Sequence, residues 1–154
     1  MTDRGARLPQ PEHVLRLSPL IACGPFGDEL GAAEVGAAIA GGLRSTAGLE
    51  PDVLALPSAA QAQRLLADEH FDARMLRSRA LVLVLARLES KRLAGSLTLE
   101  LATRARQSGV PAYAVTRENR LNQFDARILD LQVVLLATDV RGLRRAGRAL
   151  AGLL

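Results

Sequence analysis

The densest group of chemically capable side chains follows an unbroken apolar run. Leu81 to Ala86 leads into Arg87, Glu89, Ser90, Lys91 and Arg92, then Gly95-Ser96. If a helix begins after Ser96, its first amides are free donors; with the cations of Arg87 and Lys91 they suit a phosphate or carboxylate, and Glu89 balances them. The same residues also make a solvated loop with internal ion pairs, and both readings stay open. A second group is Cys23-Gly24-Pro25-Phe26-Gly27-Asp28-Glu29. Glycines such as Gly24 let a ligand approach the backbone, and a following helix N-terminus suits an anion. Asp28 and Glu29 work against an anion, because they complement the helix dipole themselves. The helix-start reading therefore leads there.

The remaining candidates are ordinary. Ser58 reads as a helix N-cap. Cys23 has no neighbouring histidine and reads as an inert buried thiol. His13 and His70 read as surface residues, and no second His or Cys stands at ligand spacing from His70. Thr116 to Asn119 is polar without a recognisable spacing. The chain carries no GxxxxGK[ST] loop, no GxSxG elbow and no GxGxxG fingerprint. No catalytic residue and no metal ligand is assigned.

These groups fall between elements that the apolar pattern marks out. Short strands are expected at Leu20–Cys23, Asp52–Leu56, Ala80–Ala86, Pro111–Val115 and Gln132–Ala137. The third and fifth lack alternation, as strands buried on both faces do. Helical spacing begins at Ala32, with Val35, Ile39 and Leu43 on one stripe and Gly48 as its stop. It returns over Ala59–Glu69, with Ala62, Leu65 and Leu66 inward. His70–Arg79 reads as a further turn or two carrying Phe71, Met75 and Leu76 inward. Leu97–Gln107 and Leu121–Leu129 follow. A last helix is capped by Asp139; Val140, Leu143, Gly147 and Leu150 face inward, and Arg141, Arg144, Arg145 and Arg148 form a solvated outer face. Residues 1–16 read as a loose arm before one domain, 17–154. Five alternating rounds imply a three-layer α/β sandwich with a mostly parallel five-stranded sheet, Rossmann- or flavodoxin-like. In such sheets, ligands bind beyond the carboxyl ends of the strands.

Composition agrees. A chain of 154 residues fits one domain and buries roughly 70% of its unfolded surface. Apolar residues make up 49% but aromatics only 3%, so the core must be aliphatic. One cysteine excludes an intramolecular disulfide. No stretch is long enough to span a membrane and the start lacks a signal-peptide core, so a cytoplasmic location is expected. Net charge is +4, and Lys91 is the only lysine. The arginines are dispersed and not interleaved with aromatics, so nucleic acid is not the expected partner.

Several stretches resemble the two-domain glycerate kinases, which phosphorylate glycerate using ATP. Ile21 to Val35 is similar to that family's opening I-A-P-D-S-F-K-G-S-L-S-A-x-E-V, matching at Ile21, Ala22, Phe26, Leu30, Ala32, Glu34 and Val35. Phe71 to Gly95 is similar to F-D-x-R-L followed by L-V-I-T-G-E-G-R-L-D-x-Q-S-L-x-G-K, matching at Phe71, Asp72, Arg74, Arg87, Leu88, Leu93 and Gly95. Gly109-Val110-Pro111 matches a later G-V-P. The departures fall on the chemistry. The family's first Asp and Lys become Gly24 and Gly27, its G-E-G becomes Val84-Leu85-Ala86, its next Asp becomes Glu89 and its motif-ending Lys becomes Ser96. No counterpart of its A-D-G-G-E-G-T survives near Ser58, and the segment that builds its second domain is absent. Phosphoryl transfer is positioning and electrostatic stabilisation, and little is left to supply either. The resemblance thus implies a catalytically silent glycerate-kinase-like domain acting as a binding or assembly module, with a homo-oligomer or protein partner. The alternative is a residual kinase or small-anion binder using Gly24, Asp28, Arg87, Glu89, Lys91 and Ser96. No cofactor is expected, ATP and Mg²⁺ entering only with residual kinase activity.

Overall fold

The structure, a computed structural model, describes residues 18–45, 49–91 and 93–154. The strands are β1 (Ser18–Cys23), β2 (Asp52–Ala55), β3 (Ser78–Glu89), β4 (Ala112–Arg120) and β5 (Leu131–Leu136). The helices are α1 (Ala32–Arg44), α2 (Ala59–Ala67), α3 (Phe71–Leu76), α4 (Leu97–Gln107), α5 (Gln123–Leu129) and α6 (Val140–Ala151). All four strand pairings are parallel, in the order β2-β1-β3-β4-β5. This is the flavodoxin-like order, and its direction reverses between β1 and β3. The expected arm at residues 1–16 and the expected stop at Gly48 lie outside the described residues; α1 ends at Arg44 with Ser45 as its cap.

The aliphatic runs form the centre because they can be dry on both faces. Leu81, Val82, Leu83 and Val84 are all fully buried. Val82 and Val84 face the core shared with α1 and α6, which includes Val35, Ile39 and Leu143. Leu81 and Leu83 face the opposite core with Phe71, Met75 and Leu101 of α3 and α4. The sheet is therefore sandwiched, as the alternation of strand side chains requires.

Small residues bring α1 and α6 into backbone contact. A Cβ added to Gly42 would stand 2.2 Å from the Arg144 carbonyl oxygen, and one added to Gly147 would stand 2.4 Å from that of Ile39. Two side-chain layers are thus missing between these helices, and only glycine permits the approach.

Four expectations need correction. The third strand does not stop at Ala86 but runs to Glu89, and β4 runs on to Arg120 beside it. Arg87, Leu88 and Glu89 pair with Glu118, Asn119 and Arg120. Opposite charges across the two strands sustain this polar extension, so Arg87, Glu89 and Thr116 to Asn119 lie in strands and not in loops. Asp28 and Glu29 do not start a helix. They sit on an exposed tight turn closed by a bridge between Phe26 and Leu30; Glu34 is the first-turn acid of α1, and its carboxylate accepts the Gly31 N–H. Leu76 is exposed, since α3 ends one turn after Phe71 and only Phe71 and Met75 reach the core. The fifth strand is an edge strand with half-exposed residues, and Leu136 is largely exposed. Its lack of alternation still reflects packing on both faces, Val133 and Leu135 toward the α1/α6 core and Leu131 and Val134 toward the α3/α4 core, but at the edge of the sheet and not at its centre.

Candidate functional site

The carboxyl ends of β1, β2 and β3 open onto a hollow of about 590 Å³ on the α2/α4 side of the sheet. It lies at the strand-order reversal, where ligands enter this architecture. The buried run of β3 loosens at this point, and half-buried Leu85 forms part of the floor. Leu56, Ala62 and Leu66 form one wall, Leu97 the other, and Gly24 the back. Gly24 is held by its N–H to the Val84 carbonyl (2.9 Å), and a Cβ there would come within 3.4 Å of Leu85.

Two helices start at the rim. Ser58 caps α2 by accepting the Gln61 N–H (3.3 Å), and Ser96 caps α4 by accepting the Leu99 N–H (3.1 Å). Each serine thereby satisfies one of the orphan donors of its helix. Gly95 adopts φ +72°, the left-handed turn that swings the chain back to Ser96. Gln63 supplies an amide at the mouth. Among the described lining residues the only charged side chain is Glu100, whose carboxylate already accepts the Arg104 Nε–H (2.8 Å).

The sequence-derived candidates separate here. Gly24 and Ser96 line the hollow. Arg87 borders a different hollow, of about 540 Å³, with Gly27, Ala86, Arg117, Glu118 and Thr138. Its guanidinium is engaged by Glu118 (3.1 Å) and Glu89 (3.7 Å), so the reading of internal ion pairs describes it. Asp28 and Lys91 are exposed and border neither hollow. The expected convergence of Arg87, Glu89, Lys91 and Ser96 on one anion does not occur, because the extended β3 carries Arg87 and Glu89 away before the chain turns back.

Cys23 does not line the hollow; its side chain packs with α1 on the opposite face of the sheet. It is fully buried, with its thiol within 3.4 Å of both the Ala32 and Leu54 carbonyl oxygens. Burial pushes the thiol up to about 11. Desolvation disfavours the thiolate, so this group is a packing element and not a nucleophile.

The Phe71-Asp72-x-Arg74 stretch serves structure. Phe71 lies in the core under the Arg104 guanidinium, 5.5 Å from its ring, and Asp72 pairs with Arg104 (3.3 Å). Arg74 forks onto both oxygens of Asp52, tying α3 to the start of β2. Asp52 raises the Arg74 pKa by accepting this bond and by its charge, against a smaller opposing effect of burial.

Sequence reasoning missed the apolar floor and the inner face of α2. The available signal was Leu85 at a strand end together with the small residues Ala59 and Ala62, which leave space above it. It also missed Arg117, whose strand position was hidden by the polar run around it. No family model matches the chain, and no curated protein matches it.

Proposed function

We propose that this chain is a glycerate-kinase-like domain that binds a ligand without phosphorylating it. The ligand is small, largely apolar and uncharged, and it sits in the hollow at the β1/β3 reversal. The observation that carries this reading is Leu85. It stands where the resembled enzymes have the glutamate of Gly-Glu-Gly, and it presents a hydrocarbon surface to the hollow. Around it lie aliphatic side chains, two capping hydroxyls and one carboxylate. A triphosphate there would meet Glu100 and no cation among the described lining residues, and the charge of a nucleotide would be desolvated without compensation. The residues present do not fit Mg-ATP.

The volume suits an organic molecule of drug-like size, which such pockets enclose through apolar walls and a few polar groups. Ser58, Ser96 and Gln63 offer hydrogen bonds that fix orientation. An ADP-release assay with Mg-ATP and glycerate tests the catalytic half of the reading. The expected result is release at the rate of the protein-free control across a wide protein titration. Release proportional to protein and abolished by Ser96→Ala would overturn it.

One observation favours an assembly role beside the binding role. β5 is an unpaired edge that exposes Leu136, and the neighbouring α5 exposes Phe124. Such an edge pairs readily with a second copy of itself. Sedimentation velocity should then show a dimer that Leu136→Lys dissociates, whereas a monomer at all concentrations refutes self-assembly.

A further inference from the structure

The other side of the sheet carries a different chemistry. A crevice of about 310 Å³ lies where β4 and β5 end and α6 begins, bordered by Arg117, Arg141, Arg145, Thr138 and Asp139. It shares Arg117 and Thr138 with the hollow of Arg87, so the two are neighbours.

Three arginines thus surround one concavity, drawn from two elements. Arg141 and Arg145 are four residues apart on α6 and so project from the same side of that helix. Arg117 reaches over from β4, and its Nη1 lies against Gly27, where an added Cβ would come within 2.9 Å. Gly27 adopts φ +68°, so the turn after β1 exposes bare backbone to this guanidinium.

The nearby acids offset only part of this charge. Asp139 accepts the Gly142 N–H (2.7 Å) as the cap of α6. Glu118 is engaged by Arg87 and Arg120. The described bordering residues carry three cations against one carboxylate, so the crevice keeps an excess of positive charge. Guanidinium forks match the oxygens of phosphates and carboxylates, and several around one concavity select a ligand with several such groups.

We infer that this crevice binds a compact small-molecule anion carrying at least two phosphate or carboxylate groups. The inference is independent of the apolar hollow, which lies across the sheet and has no cation among its described lining residues. It also differs from a diffuse basic surface. Arg144 and Arg148 lie on the same helix but do not border the crevice.

Calorimetric titration with inorganic pyrophosphate and, separately, with citrate at constant ionic strength tests this. At least one of the two is expected to saturate a single site, and which one it is tells phosphate from carboxylate. Arg117→Gln and Arg145→Gln should each weaken that binding roughly tenfold or more, the effect of losing a charge-assisted hydrogen bond. Arg148→Gln should leave it unchanged. No saturable heat from either anion overturns the inference, as does an equal loss with Arg148→Gln. An oligonucleotide that binds more tightly than either anion, and loses affinity equally with Arg144→Gln and Arg145→Gln, would assign the surface to nucleic acid instead and also overturn it.

Discussion

Two adjacent glycines of α1 should respond to the same substitution with opposite signs. Gly42 lies against α6, and a Cβ there would stand 2.2 Å from the Arg144 carbonyl oxygen and 2.9 Å from the Arg148 nitrogen. Both are backbone atoms, so no side chain can swing aside and the helices must separate. Overpacking of this kind costs about 1–3 kcal/mol, and backbone contacts belong at the upper end. The better helix propensity of alanine returns up to about 1 kcal/mol. Gly42→Ala should therefore destabilise by about 1–3 kcal/mol, lowering the Tm by roughly 3–10 °C for a chain of this size. Gly41 is exposed and has nothing within 4 Å of its added Cβ. Gly41→Ala keeps the propensity gain alone and should stabilise by about 0.5–1 kcal/mol. Calorimetric or urea unfolding of both variants reads the difference directly. A Gly42→Ala protein as stable as the parent would mean that α1 and α6 are not in backbone contact.

Other outcomes follow from the core and its ion pairs. Gly147→Ala meets the Ile39 carbonyl oxygen at 2.4 Å and should destabilise about as much as Gly42→Ala; a neutral result in urea unfolding would contradict the contact from the α6 side. The Cys23 thiol ionises near 9 when ordinary and at about 11 in the fold. Folding disfavours its thiolate, so this stabilisation is complete below pH 9 and is lost as pH rises through 11, a change of about 2–3 kcal/mol. Urea midpoints from pH 8 to 11 should fall less steeply for Cys23→Ala than for the parent, and equal slopes would refute the assignment. A double-mutant cycle on Arg74→Met and Asp52→Asn should give a coupling of about 1–2 kcal/mol, since the pair is forked and two-thirds buried. The exposed Arg44–Glu50 pair should couple by less than about 0.5 kcal/mol, and equal couplings would show that burial does not matter here.

The legibility of this fold follows its aliphatic runs. Leu81 to Val84 could only be a strand dry on both faces, and the alternation of such runs with helical stripes implied a parallel sheet. Polar strand extensions were not legible. Arg87 to Glu89 and Thr116 to Asn119 read as loops because their pairing is a property of two segments held side by side, and neither alone has a strand pattern. The edge position of β5 was hidden for a related reason. Both faces of the run are packed, and whether a strand so packed is central or at an edge depends on sheet order. The candidate site was half visible. Gly24 and Ser96 stood at strand ends in the sequence, but Leu85, Ala62 and Leu66 look like ordinary core residues until the reversal between β1 and β3 leaves a space above them. Arg117, Arg141 and Arg145 are separated along the chain, so their convergence exists only in the folded sheet.

The claim that the hollow takes an apolar, uncharged ligand and not a nucleotide is tested most directly by a displacement titration. N-phenyl-1-naphthylamine, a neutral apolar fluorophore, should bind saturably at one site with enhanced emission. Gln63→Trp at the exposed mouth should block it. Mg-ATP added to the loaded protein should leave the emission unchanged. Stoichiometric displacement of the fluorophore by Mg-ATP would make the hollow a nucleotide site and contradict the account.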